Sequence, residues 1–152
     1  MSENVSAALG QNTGFLLSVS SARAVSTANQ ELTEFGLKAR SYTALSLLVH
    51  SNGISQREIA HALQMDPSQI VALVDSLENL GLVQRRPDPN DRRLRSVVAT
   101  AKGKRVQAEA ARRVAAAEDT VLSGLSDEER NQLHDLLNRV ALGDELSPVA
   151  AG

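Results

Sequence analysis

Two short capped amphipathic helices separated by a two-residue connection, a pair of arginine-rich strand-length segments directly after them, and helical apolar periodicity on either side predict a mainly α fold: a winged helix-turn-helix with a two-stranded β-wing and N- and C-terminal helices. At 152 residues the chain has the size of one domain. Its 42% hydrophobic content supplies a core, and 22% charged residues is ordinary for a globular protein.

Residues 1–12 and 143–152 are small and polar and read as flexible termini, which leaves 13–142 as a single domain. Thr13 to Gln30 carries helical spacing, with Phe15, Leu16, Val19 and Val25 as inward candidates, and Gly36 breaks the pattern. Arg40 to His50 is a second helix with Leu45, Leu48 and Val49 apolar, closed by the turn Ser51-Asn52-Gly53. Ser55-Gln56-Arg57-Glu58 is a capping box that opens a short helix ending near Leu63 or Gln64. Asp66-Pro67 is a cap residue followed by proline at the first helical position. Ile70, Leu73, Val74 and Leu77 then recur at i, i+3, i+4 and i+7 until Gly81. Leu82–Arg86 and Arg95–Ala99 are strand-length, and Pro87 to Leu94 between them makes a broad exposed tip. Thr100 caps an alanine-rich helix over Lys104–Ser123, with Val106, Ala110, Val114, Ala117 and Val121 on one stripe. Ser126 to Glu129 is a second capping box, opening a helix through Leu133, Leu136, Leu137 and Val140. The winged helix thus spans about 36–100, between terminal helices at about 13–30 and 103–142.

The net charge is −2, but it is unevenly spread. Residues 84–113 hold ten basic side chains against three acidic, a local balance of +7, between flanks of −3 and −6. Such a local excess is an electrostatic footprint for a polyanion. Only Phe15, Phe35 and Tyr42 are aromatic, too few for base-stacking on single strands. Duplex DNA fits better. A helix enters the wide major groove, and a thin hairpin lays arginines into the narrow minor groove. The second helix of the pair carries no Lys or Arg, so Ser68, Gln69, Val71, Ala72 and Ser76 are its readers: glutamine pairs with adenine, and Val71 or Ala72 contacts a thymine methyl. Arg57 on the first helix and Arg86, Asp91, Arg92, Arg93 and Arg95 on the wing complete the candidate DNA interface. Arg93 either contacts DNA or is held by Asp91 as a brace of the hairpin. A winged-helix module that binds protein, its arginines merely solvated, is the competing reading.

The stretches Ser55-Gln-Arg-Glu-Ile-Ala, Asp66-Pro-Ser-Gln-Ile-Val through Gly81-Leu-Val, Arg85-Arg-Pro-Asp-Pro-Asn-Asp-Arg-Arg and Thr100-Ala-Lys-Gly resemble the MarR (multiple antibiotic resistance regulator) family of winged-helix regulators. The wing motif Asp88-Pro89-x-Asp91-x-Arg93 is the most specific piece, and the resemblance covers roughly 13–142. It implies a DNA-binding homodimer with N- and C-terminal dimerisation helices, acting as a repressor or activator; a two-fold axis calls for a pseudo-palindromic operator, and an N-terminus without the basic start and long apolar segment of a signal peptide reads as cytoplasmic. The resemblance also implies release by a small aromatic or phenolic effector in a crevice above the reading heads. Phe15, Arg23 and Tyr42 are the ligand candidates there, as an apolar wall, a cation and a hydroxyl. The recognition helix departs from the family in lacking a basic residue.

Other classes find little support. His50, His61 and His134 lie on three separate helices without metal-pair spacing, cysteine is absent, and no metal or cofactor is expected. Asp127-Glu128-Glu129 offsets a helix dipole, and there is neither a nucleophile elbow nor a glycine-rich phosphate loop, so no catalytic residue is assigned. No stretch approaches the ~20 apolar residues of a membrane helix.

Overall fold

The computed structural model describes residues 9–88 and 95–143. Among them are six α-helices and one two-stranded sheet: α1 Thr13–Leu32, α2 Ala39–Val49, α3 Gln56–Ala62, α4 Pro67–Asn79, β1 Val83–Pro87, β2 Arg95–Ala99, α5 Ala101–Val121 and α6 Asp127–Leu142, with a 3₁₀ turn at Thr33–Phe35. This is the mainly α winged helix-turn-helix that the sequence predicts. The chain divides into two compact units, Met1–Glu118 and Asp119–Gly152.

In the first unit, both helices of the helix-turn-helix begin on the caps that their sequences specify. The Ser55 N–H donates to Glu58 Oε2 at 2.7 Å, and the Glu58 N–H donates back to Ser55 Oγ at 3.2 Å. Asp66 Oδ1 accepts from the Ser68 N–H at 2.8 Å, with Pro67 at the first helical position. Between them the chain turns in Leu63–Met65, where Gln64 takes φ 49°, a left-handed conformation uncommon outside glycine. The Met65 N–H donates to Ala60 O at 2.9 Å and closes the turn. Leu45, Leu48, Ile59, Ile70, Val74, Leu77, Leu82 and Val97 are buried together, so α2, α3, α4 and the sheet share one core.

α1 runs two residues beyond its expected end, and its inward candidates do not point inward. Phe15, Leu16, Val19 and Val25 are 38–46% exposed, and Leu32 is the helix's one buried residue. The reason is positional: only the C-terminal end of α1, at Ala28 and Leu32, reaches the core.

The hairpin pairs Val83↔Ala99, Gln84↔Val98, Arg85↔Val97, Arg86↔Ser96 and Pro87↔Arg95. Pleating therefore puts Arg85 and Val97 on one face and Gln84, Arg86, Ser96 and Val98 on the other. β1 begins one residue later than the sequence suggests because the Leu82 N–H donates to Leu77 O at 3.0 Å, so that only the Thr100 N–H to Leu82 O bond, 2.9 Å, continues the ladder there. Ile54 adds an isolated antiparallel bridge on the other edge of β2 that the sequence does not show, exchanging hydrogen bonds of 3.3 and 2.8 Å with Val97. A lone isoleucine carries no alternation to reveal it.

α5 begins at Ala101, earlier than its alanine-rich run, because Thr100 caps it: Thr100 Oγ1 accepts from the Gly103 N–H at 3.0 Å and donates to Gly81 O at 2.7 Å. Ala110 is buried and Val106 and Val114 pack on the core, as the stripe requires. In the second unit the Ser126 capping box forms with both bonds, 2.8 and 3.3 Å, and Arg130 pairs with Asp119 at 2.7 Å. α6 has no buried residue, and Leu136, Leu137 and Val140 are exposed. Among the described residues no helix is long and apolar enough to cross a membrane.

Gly103 is where α5 meets the start of β1. A Cβ there falls 2.0 Å from the Leu82 carbonyl oxygen. Alanine is favoured over glycine by about 1 kcal/mol in a helix interior, yet Gly103→Ala is expected to destabilise by about 2 kcal/mol through this clash. Urea unfolding of the two proteins measures it, and equal midpoints would contradict the close approach.

Candidate nucleic-acid interface

α4 has two faces. Ile70, Val74 and Leu77 are buried, while Ser68, Gln69, Val71, Ala72, Asp75 and Ser76 are exposed on the opposite side, Val71 by 43%. All five residues named as base readers are therefore outward. Ser68 is partly spent on the cap, because its hydroxyl as well as its N–H donates to Asp66 Oδ1. These bonds, the hydroxyl's first, hold the Asp66 carboxyl below the usual carboxylate range. Arg57 is exposed on α3, in the first turn after the Ser55 cap.

The basic stretch does not form one patch. Arg85, on the sheet face turned toward α4, is consumed within the protein. Its Nη2 lies 2.5 Å from Asp75 Oδ1 and its Nη1 2.5 Å from Glu78 Oε2, while its Nε donates to Gln56 Oε1 at 2.9 Å. Its backbone N–H donates to Glu78 Oε1 at 3.0 Å. That backbone bond, followed by the guanidinium's, holds the Glu78 carboxyl below its ordinary range. Arg113 pairs with Glu34 at 2.8 Å and Glu31 at 3.5 Å, and Lys102 Nζ donates to Leu80 O at 2.7 Å, at the C-terminal end of α4. A count of charges along the chain could not reveal these partners. The spacing of Asp75 and Glu78, three residues apart on one helix face, was the available signal.

On the wing, Arg86 and Arg95 are exposed. Gln84 Oε1, with the amide turned toward the guanidinium, accepts from Arg86 Nε at 3.0 Å and Nη2 at 2.5 Å, which steadies Arg86 on the other sheet face. Asp88 anchors the base of the loop by accepting from the buried Ser96 hydroxyl at 2.7 Å. Asp91, Arg92 and Arg93 lie outside the described residues.

Phe15 and Arg23 stand exposed on α1, and Tyr42 is half-buried on α2 against the core. Two clefts among the described residues of this unit bear on these candidates. One of about 230 Å³ is lined by Leu48, Ser51, Asn52, Arg86, Val98, Ala99 and Lys104. The other, of about 240 Å³, is lined by Glu34, Phe35, Glu109, Arg112 and Arg113. None of Phe15, Arg23 and Tyr42 lines either. His50 Nδ1 lies 2.8 Å from Ser46 O, and among the described residues no three acidic or histidine side chains converge as metal ligands.

Residues 35–94, from the 3₁₀ turn to the wing, match the model of the MarR family. A MarR-family transcriptional regulator from Rhodococcus sp. RHA1 is 40% identical, superposes with a TM-score of 0.82, and is covered over 88% of this chain and 96% of its own. The chain belongs to the MarR family. CouR from Rhodococcus jostii RHA1, solved with p-coumaroyl-CoA, is a second similar structure at 39% identity, covering 93% of this chain and 97% of its own with a TM-score of 0.80. A transcriptional repressor CouR bound to a 23-mer DNA duplex is 30% identical over 88% of this chain and 94% of its own, with a TM-score of 0.81. MarR-family members are transcriptional regulators, not enzymes, and the arrangement around α4 accordingly has to be read as a binding surface.

The Arg85–Glu78 bond makes stability sensitive to pH in a defined direction. A carboxyl whose pKa is lowered in the folded state contributes fully above its unfolded pKa, and the contribution disappears as pH falls through the folded value. The stability difference between wild type and Glu78→Gln is therefore expected to be constant from pH 8 to ~6 and to shrink below about pH 4. Urea titrations across this range measure it, and a difference that persists unchanged in acid would contradict the ion pair.

Proposed function

We propose that the protein is a homodimeric, sequence-specific double-stranded DNA-binding regulator, a repressor that a small aromatic effector releases from a pseudo-palindromic operator. The carrying observation is the outward face of α4, with Gln69, Val71, Ala72 and Ser76 presented from a helix held by buried Ile70, Val74 and Leu77. In this reading α4 enters the major groove. Gln69 pairs with an adenine edge and Val71 and Ala72 meet thymine methyls, which favours an A·T-leaning site. Ser68 supplies acceptor lone pairs. Arg57 takes a phosphate, and the wing brings Arg86, Arg95 and the tip residues Arg92 and Arg93 to the backbone and minor groove, with Asp91 the candidate brace of Arg93 at the tip. The CouR–DNA complex supports the duplex as partner.

The exposed apolar residues of α1 and of α6 support self-association, with the helices of 13–30 and 103–142 forming the dimerisation part. A two-fold axis then sets the two recognition helices about one helical turn, ~34 Å, apart on the operator. The effector reading is supported by CouR with p-coumaroyl-CoA. Phe15, Arg23 and Tyr42 are its candidate contacts, and the cytoplasm is its place of action. Such a ligand shifts DNA occupancy only by its difference in affinity between the two dimer states.

Titrating duplexes at several salt concentrations tests the reading. Two chains per duplex by sedimentation, with a log–log salt slope of about −5 to −9, are expected for a dimer making ~6–10 phosphate contacts. Arg92→Ala or Arg93→Ala should weaken all binding, and Gln69→Ala should mainly relax base preference, by ~1–3 kcal/mol. Equally weak binding to every duplex would overturn DNA reading in favour of a protein-binding module.

A further inference from the structure

The Arg85 fork joins three elements that have to move together if α4 is to read DNA. Its side chain leaves β1, its two terminal nitrogens meet Asp75 and Glu78 on α4, and its Nε meets Gln56 at the start of α3. Glu78 is gripped twice, by this guanidinium and by the Arg85 backbone N–H. The opposite side of α4 is held by Ile70, Val74 and Leu77, and apolar contacts are non-directional. They set which face of the helix is buried but only loosely fix its fine rotation about its own axis. A planar guanidinium with three hydrogen bonds to three side chains does fix it.

Asp75 lies three and four residues beyond Ala72 and Val71, one turn along the same helix. The fork therefore acts a single turn from the residues assigned to base edges. Its other end is the neighbour of Arg86 on β1, so it also sets the distance between the reading helix and the wing. Arg85 is poorly placed to take a phosphate itself: the side chain is 23% exposed, and each of its three nitrogens already has a protein partner.

We infer that Arg85 is a positioning residue for sequence discrimination, locking the rotation of α4 and its distance from the wing without contacting DNA. The inference rests on the DNA-binding reading above. It also explains why two carboxylates are tolerated on a helix that approaches a polyanion: Arg85 neutralises them, and unpaired they would repel phosphate.

The experiment first enriches a duplex from a random pool with the wild-type protein, then compares that duplex with a scrambled one for wild type, Arg85→Lys, Arg85→Met and Asp75→Asn. Lysine keeps the charge but cannot reproduce the fork, and Asp75→Asn leaves Arg85 in place while weakening one tooth. Thermal melts exclude variants that do not fold, and Arg85→Lys and Asp75→Asn carry the test if Arg85→Met is lost. The ratio of the two affinities is expected to fall about tenfold in Arg85→Lys, while the salt slope stays at the wild-type value. A phosphate contact would instead flatten the slope by about 1.8 in Arg85→Met, one contact from each protomer, with discrimination preserved, and that result overturns the inference. A purely structural role would lower the melting temperature and leave the ratio unchanged, which also overturns it. If the wild type enriches no duplex, the DNA-binding reading falls and takes the inference with it. If enrichment succeeds and the folded variants discriminate normally, the inference alone falls.

Discussion

A helix that reads another molecule has to be held on one side while the other stays free, and the rest of this structure is arranged around that requirement for α4. Ile70, Val74 and Leu77 fall on one stripe because they recur at helical spacing, and their burial against α2, α3 and the sheet holds the helix in place. The same periodicity leaves Ser68, Gln69, Ala72 and Ser76 in solvent. The cap formed by Asp66 and Pro67 fixes where the helix starts, and hence which side chains fall on which face. A start shifted by one residue would rotate the set by about 100° and bury part of the reading face.

Among the described residues, local pairing takes up part of the basic stretch. Of the basic residues between 84 and 113, Arg85 and Arg113 are held in ion pairs and Lys102 closes the end of α4, so each stabilises a junction between elements. Pairs of this kind contribute little when fully exposed. Arg85 is the exception, because it is partly buried, makes several hydrogen bonds and joins residues far apart in sequence. The wing's exposed arginines are thereby separated in role from the arginine at its root, although they are adjacent in the chain.

How much of this was legible beforehand follows from the range of the interactions involved. The capping boxes at Ser55 and Ser126, the start at Asp66-Pro67 and the limits of β2 are set by residues within a turn of one another, and all were readable. The outward face of α4 was readable because periodicity alone decides it. What was not readable depends on contacts across the fold: the Ile54–Val97 bridge, the tight seat of Gly103 under Leu82, and the fate of Arg85, whose partner Gln56 is 29 residues away. The same range decides the inward candidates of α1, Phe15, Leu16, Val19 and Val25, which stand exposed in the single chain. Their spacing is helical, but a single chain offers them nothing to pack against beyond the end at Leu32.

The account stands on the claim that the outer face of α4 lies in the major groove. The absence of cysteine makes a direct measurement simple, because a single introduced thiol is the only one to react. An iron chelate attached through Ala72→Cys, at the centre of that face, should cleave an enriched duplex at two positions related by its pseudo-symmetry. The same protein on a scrambled duplex should give no such pair of cuts. Absence of the paired cuts from position 72, in protein that still binds the enriched duplex, would contradict the claim.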